Sequence, residues 1–208
     1  MKIKICGMKY ADNIRDIGDL EPDYMGFIFY KDSLRYVGQE LVTDYDFPLT
    51  TKVGVFVNEP IPSVVRLATR FDINLIQLHG DESPEYCEEL KMLDFKIIKS
   101  FGIDLTFDFS LLNEYADVCD YYLFDTKTIE YGGSGHKFSW SLLKQYDNSK
   151  PIFLAGGLDL ESIQEVHDLL NGVNIHALDF NSKLEIEPGL KDIEKCGQAI
   201  QAVHQLPV

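Results

Sequence analysis

The stretch KIKICGMK, residues 2–9, alternates charged and apolar side chains and then stops at a thiol followed by glycine. Successive strand side chains point to opposite faces, which puts Lys2, Lys4 and Cys6 on one side and Ile3 and Ile5 on the other. Two lysines and a thiol on one face are not an ordinary core. The pattern recurs: short β-branched and aromatic runs begin near Lys2, Tyr24, Lys52, Leu75, Phe95, Tyr121, Pro151 and Ile175, and most lead into a helical period. Ile61, Val64, Val65, Ala68 and Phe71 form one apolar helix stripe, and Leu190, Ile193, Cys196, Ile200 and Val203 form another. Ser83-Pro84-Glu85 reads as an N-cap, a first-turn proline and a dipole-favoured acid. The crossovers around 39–47 and 104–117 carry the weakest helical patterns. Strict alternation of strand and helix predicts a parallel sheet, and eight units predict closure into a single (β/α)8 barrel, a fold whose lower size limit is ~200 residues. A doubly wound open sheet is the competing architecture.

At 208 residues and 45% hydrophobic content the chain suits one sizeable core, and no linker or composition break divides residues 1–208. Acidic residues outnumber basic ones 34 to 19, for a formal charge of -15, which argues against a nucleic-acid partner but leaves room for an anionic small molecule where positive groups gather locally. Cys6, Cys87, Cys119 and Cys196 stand far apart with no C-x-x-C pair, so reduced thiols are expected rather than a disulfide framework or a zinc knuckle. The sequence shows no signal-peptide run and no stretch of membrane-spanning length, so the expectation is a cytoplasmic protein with no membrane partner.

In a barrel of this kind the chemistry sits at the C-terminal ends of the strands. Cys6 ends the first, Gln77 and His79 the fourth, Asp125 the sixth, and Asp179 and Asn181 the eighth, while Gly156 and Gly157 follow the seventh. Parity places Tyr121, Leu123 and Asp125 on one face, with Tyr122 and Phe124 opposite. Likewise Ile175, Ala177, Asp179 and Asn181 oppose Leu178 and Phe180. Polar groups therefore converge on one mouth. In LAGGLDLESI, residues 154–163, two glycines precede a helix that Asp159 can cap, and loops after strands 7 and 8 of such barrels often hold a phosphate. DFNSKLEIEPG, residues 179–189, supplies the other half of such a site. FDTKTIEYGGSGHKFSW, residues 124–140, is long enough to close over a ligand. In FYKDSLRYV, residues 29–37, Arg35 offers a guanidinium fork that suits a carboxylate.

These segments, with KICG, VGVFVNE, IQLHGDE and PGLKD, occur in an order over nearly the whole chain that closely resembles the phosphoribosylanthranilate isomerase family. The resemblance implies a (β/α)8 barrel, monomeric or homodimeric. It also implies an Amadori rearrangement of N-(5-phosphoribosyl)anthranilate to 1-(2-carboxyphenylamino)-1-deoxyribulose 5-phosphate, in tryptophan biosynthesis, without metal or organic cofactor. By carry-over Cys6 is the general base, Asp125 the general acid and Arg35 the partner of the anthranilate carboxylate. Gly156, Gly157, Asp179 and Asn181 fall in the phosphate segments, and Gln77 and His79 complete the substrate site. The sequence departs from the family at Leu34, where proline is usual, at His136, where lysine is common, and at Lys183, where glycine is common.

The acid–base reading explains a thiol at a strand end and makes demands on it. An ordinary thiol of pKa ~8.5 is only slightly ionised at neutral pH, so the base is expected to have a lowered pKa with help from Lys4. An ordinary aspartate of pKa ~3.9 must be held partly neutral to act as an acid. A bell-shaped pH profile follows, its acidic limb assigned to Cys6 and its alkaline limb to Asp125. Gly7 is expected to leave room for the sugar. Two other readings compete: a sugar-phosphate lyase or synthase barrel using Lys99, and a catalytically silent barrel that binds an anionic metabolite.

Overall fold

The computed structural model describes residues 1–38, 47–126, 140–147, 149–169 and 171–206. Eight parallel strands, β1 (Lys2–Cys6), β2 (Tyr24–Ile28), β3 (Thr51–Phe56), β4 (Leu75–Leu78), β5 (Lys96–Ile103), β6 (Tyr121–Thr126), β7 (Ile152–Ala155) and β8 (Ile175–Phe180), pair in chain order. Each begins within one residue of its expected start. β8 returns to pair with β1, in a register that sets Lys4 beside Asp179, and this closure excludes the open doubly wound sheet.

Among the described residues five α-helices pack outside: α1 (Ala11–Gly18), α2 (Ile61–Arg70), α3 (Pro84–Met92), α4 (Ser162–Leu169) and α5 (Ile193–Gln205). Ser83 caps α3 by accepting from the Tyr86 N–H. Asp159 and Ser162 satisfy each other's backbone N–H groups at 2.9 Å each, a reciprocal cap at the start of α4. On α2 the buried residues are Val64, Leu67 and Ala68. The stripe of α5 starts at Cys196, not Leu190, because Asp192 accepts from the Lys195 N–H and fixes the helix start, leaving Ile193 43% exposed. Leu190 lies instead in the short strand β10 (Leu190–Lys191), which pairs antiparallel with β9 (Glu185–Glu187). The weak pattern at 104–117 becomes a 3-10 segment, Phe109–Tyr115, opened by Asp108 accepting from the Ser110 N–H. A second 3-10 segment, Trp140–Gln145, follows β6. The crossover expected at 39–47 lies almost wholly outside the described residues, as does the segment 127–139.

Strand parity sorts the core into two layers. Tyr24, Val53, Leu75, Ile98, Leu123, Phe153, Ala155 and Ala177 fill the barrel interior, while Ile3, Ile5, Phe27, Phe56, Tyr122, Phe124, Leu178 and Phe180 face the helices. Each large apolar side chain so buried contributes about 1.5–3 kcal/mol. Above the interior apolar layer the inward positions turn polar, beginning with Lys4, which is 0% exposed.

Candidate active site

Lys4 is the first polar rung. Its ammonium donates to Gln77 Oε1 at 2.7 Å and Asp179 Oδ2 at 2.8 Å, so a charge that burial penalises is held by two acceptors. Burial works against the Lys4 charge, but Asp179 and Cys6 outweigh it and the pKa ends above the ordinary value. Cys6 sits one rung higher, 4% exposed, across the β1–β2 ladder from Gly26. A Cβ at Gly26 would stand 2.7 Å from the Cys6 sulfur, so only glycine there admits the thiol. Burial pushes the Cys6 pKa up and Asp179 adds to it, while Lys4 and Lys191 pull it down without reversing the shift. This corrects the expected lowering: Lys4 acts in the expected direction, and desolvation prevails over it.

His79 and Asp125 meet across the mouth from β4 and β6. His79 Nδ1 lies 2.9 Å from both Gln77 Nε2 and Ser100 Oγ, and its Nε2 lies 3.6 Å from Asp125 Oδ2. Both side chains are partly exposed, at 36% and 40%. Asp179 is 7% exposed, and burial raises its carboxyl pKa against the opposing pull of Lys4. Its Oδ1 is buried and has no hydrogen-bond partner among the described residues. A buried carboxylate oxygen tied to a lysine suits a hydroxyl donor better than a phosphate.

Arg35 does not stand free. Its Nε donates to Glu185 Oε1 at 2.8 Å and its Nη2 to Glu185 Oε2 at 2.6 Å. Glu185 Oε1 also accepts from Lys191 Nζ at 2.8 Å, and Lys191 donates to Asn181 Oδ1 at 2.9 Å. The Glu185 carboxylate, desolvated but gripped by two cations, is held below the usual carboxylate range. Gly7, at φ +81°, lies beneath this network: a Cβ there would stand 2.7 Å from Arg35 Cδ and from Asn181 Oδ1. The space at Gly7 is therefore filled by Arg35 and Asn181 rather than kept for a ligand, which corrects the expectation for that glycine.

Cys6, Gln77, His79, Asp125, Gly156, Gly157, Asp179 and Asn181 all line one cavity of about 320 Å³, joined by Tyr30, Ser33, Ser182 and Lys183. Arg35 lies outside that lining and connects to it through Glu185 and Lys191, which donates to the lining residue Asn181. Gly156 and Gly157 have φ of +103° and +68°, and nothing stands within 4 Å of where a Cβ would be at Gly157, so backbone there is open to a ligand. Lys183 adds a positive group on the same side.

The lysine of the competing lyase reading is placed elsewhere. Lys99 lies on the outward face of β5, 2% exposed, with its ammonium on Gly80 O at 2.6 Å and Glu82 Oε2 at 3.1 Å. It ties the loop after β4 and is spent structurally. Sequence reading missed Glu185, Lys191, Ser100 and Gly26 as parts of the site. Lys191 stands inside the quoted PGLKD, and Gly26 opposite a strand-end cysteine was a usable signal. Glu185 carried none, because its partner lies 150 residues away.

The closed barrel, with these groups at its C-terminal mouth, can be set beside known proteins. Residues 3–202 match the family model described as N-(5'phosphoribosyl)anthranilate (PRA) isomerase. The N-(5'-phosphoribosyl)anthranilate isomerase of Parabacteroides distasonis is 41% identical over 207 residues, 98% of this chain and 93% of that one. The crystal structure of phosphoribosyl anthranilate isomerase from Thermotoga maritima superposes with a TM-score of 0.86 at 32% identity, covering 99% of this chain and 100% of that one. A phosphoribosyl anthranilate isomerase in complex with reduced 1-(o-carboxyphenylamino)-1-deoxyribulose 5-phosphate gives 0.84 at 28% identity, with the same coverage. The chain belongs to the N-(5'-phosphoribosyl)anthranilate isomerase family.

Proposed function

We propose that this chain converts N-(5'-phosphoribosyl)anthranilate to 1-(2-carboxyphenylamino)-1-deoxyribulose 5-phosphate in the cytoplasm, as a step of tryptophan biosynthesis, working as a monomer or homodimer. One observation carries the residue roles: a thiol from β1 and a carboxyl from β6 line the same cavity. Ring opening needs a proton on the ribose ring oxygen as the C1'–O bond breaks and nitrogen forms the C1'=N bond. Asp125 gives that proton. The resulting iminium acidifies C2'–H, and the Cys6 thiolate removes it to form the enolamine, which becomes the ketone by gaining a proton at C1' and losing the C2' hydroxyl proton. The burial that makes the thiolate scarce also makes it a stronger base once formed.

The substrate's two anionic ends are held apart. Backbone at Gly156 and Gly157, together with Ser182 and Lys183, takes the phosphate. Arg35, its fork braced by Glu185, takes the anthranilate carboxylate with its remaining donors. Asp179 Oδ1 accepts a ribose hydroxyl. With the thiol pKa raised, the competent pair is thiolate and carboxylic acid sharing one proton, so the alkaline limb of the pH profile, expected from the sequence to belong to Asp125, is reassigned to loss of that proton from Cys6. The test is direct: protein added to freshly made phosphoribosylanthranilate extinguishes the fluorescence of the anthranilate adduct. Fluorescence decaying only at the spontaneous rate would overturn the reading.

A further inference from the structure

The hydrogen bonds beneath His79 determine where its proton sits. A lysine ammonium can only donate, so the Gln77 atom 2.7 Å from Lys4 Nζ is the carbonyl oxygen and the Gln77 amide nitrogen faces His79 Nδ1 at 2.9 Å. Gln77 is 2% exposed, so its amide is held between these two partners. An N–H on His79 Nδ1 would oppose the amide N–H head-on. Nδ1 is therefore the acceptor, with Ser100 Oγ also 2.9 Å from it. A ring whose Nδ1 accepts carries its proton on Nε2, the nitrogen 3.6 Å from Asp125 Oδ2. That distance exceeds a hydrogen bond, and catalytic hydrogen bonds of this length often tighten only in the complex with substrate.

We propose that Gln77, oriented by Lys4, fixes His79 as the Nε2–H tautomer, and that His79 acts as a positioning residue that stabilises the Asp125 carboxylate formed when the acid yields its proton. The inference rests on the reading of Asp125 as the acid and deepens it. A fixed donor aimed at a charge that develops only during the reaction favours the transition state over the ground state. An unprotonated Nε2 would instead repel that charge.

The experiment is two-bond proton–nitrogen NMR on 15N-histidine-labelled protein, with the His79 signal assigned by its loss in His79→Gln. The parent is expected to show His79 neutral with Nε2 protonated. In Gln77→Glu one carboxylate oxygen takes the Lys4 donor and the other demands a proton from Nδ1. Nδ1 is expected to become protonated, and kcat to fall about tenfold, the equivalent of one pKa unit of lost stabilisation, with KM near the parental value. If Gln77→Glu does not fold, Gln77→Met serves, with a mixed tautomer population expected. His79→Gln, whose amide nitrogen approximates Nε2, should retain more turnover than His79→Asn. A parent with Nδ1 protonated, or a changed tautomer with unchanged kcat, overturns the proposal. Parental turnover in Asp125→Asn would instead overturn the acid assignment, and the NMR result distinguishes the two failures.

Discussion

Replacing Lys4 by methionine removes the ammonium that pairs with Asp179 at the buried floor of the site. The Lys4 side chain is 0% and that of Asp179 6% exposed, and Gln77 and Asp179 each lose their donor. Breaking a buried pair from one side costs about 3–5 kcal/mol, because it strands the remaining charge. For a chain of this size, where each kcal/mol moves Tm by about 2–4 °C, that is a fall of about 6–20 °C. The cost carries a pH signature whose sign is fixed. The Asp179 pKa already stands above its ordinary value, and loss of Lys4 removes the main influence opposing that rise. A carboxyl with a raised folded-state pKa keeps a proton that the unfolded chain releases, so stability falls as pH climbs from the unfolded value of ~3.9 through the folded one. Lys4→Met is therefore less destabilising at pH about 5 than at pH about 8. Lys4→Met/Asp179→Asn, which removes the stranded charge, should recover most of the lost stability without recovering activity. Urea titrations of the three proteins at both pH values read this out. A single variant within about 1 kcal/mol of the parent at pH 8 would refute the reasoning, since exposed pairs are worth that little.

Cys6→Ser should fold with parental stability and lose at least ~10²-fold in kcat, because a hydroxyl is a far poorer base; near-parental turnover would reduce Cys6 to a buried hydrophobe. Asp125→Asn keeps the shape and loses the donor, so product affinity should hold while the single-turnover rate drops by ~10² or more. Arg35→Ala should chiefly raise KM, leaving Glu185 still paired with Lys191; an unchanged KM and kcat/KM would remove Arg35 from the site. The alkaline limb of kcat/KM should lie above the ordinary thiol value of ~8.5, because burial raises the Cys6 pKa, and a limb below that value would contradict the assignment.

The barrel was legible because its evidence is local and repeated. Each strand carries its own short β-branched or aromatic run, and eight of them leave little choice of architecture. The inward parity of Cys6, Asp125 and Asp179 follows from the same counting. Fine electrostatics did not follow, because they depend on burial and on partners that the chain brings from afar. KIKIC shows Lys4 beside Cys6, which suggested a lowered thiol pKa, yet the depth of the barrel reverses the sign. Arg35 reads as a free carboxylate fork in SLRYV, and only the fold delivers Glu185 to it from the far side of the closure between β8 and β1. Gly7 looked like space for a ligand and proved to be space for Arg35 and Asn181. Of the loop 124–140 that the sequence offers as a closure over the ligand, residues 127–139 fall outside the described residues.

The central claim is that one ligand lies between the Cys6 thiol and the Asp125 carboxyl with its phosphate at Gly156, Gly157 and Lys183. A crystal structure of this chain with reduced 1-(o-carboxyphenylamino)-1-deoxyribulose 5-phosphate tests it most directly. The account predicts the C2' carbon within reach of Cys6 Sγ, Asp125 on the oxygen that closed the ring, a sugar hydroxyl on Asp179 Oδ1 and the aromatic carboxylate on Arg35. A ligand seated with its sugar away from Cys6 and Asp125, or with its phosphate on Arg35, would contradict it.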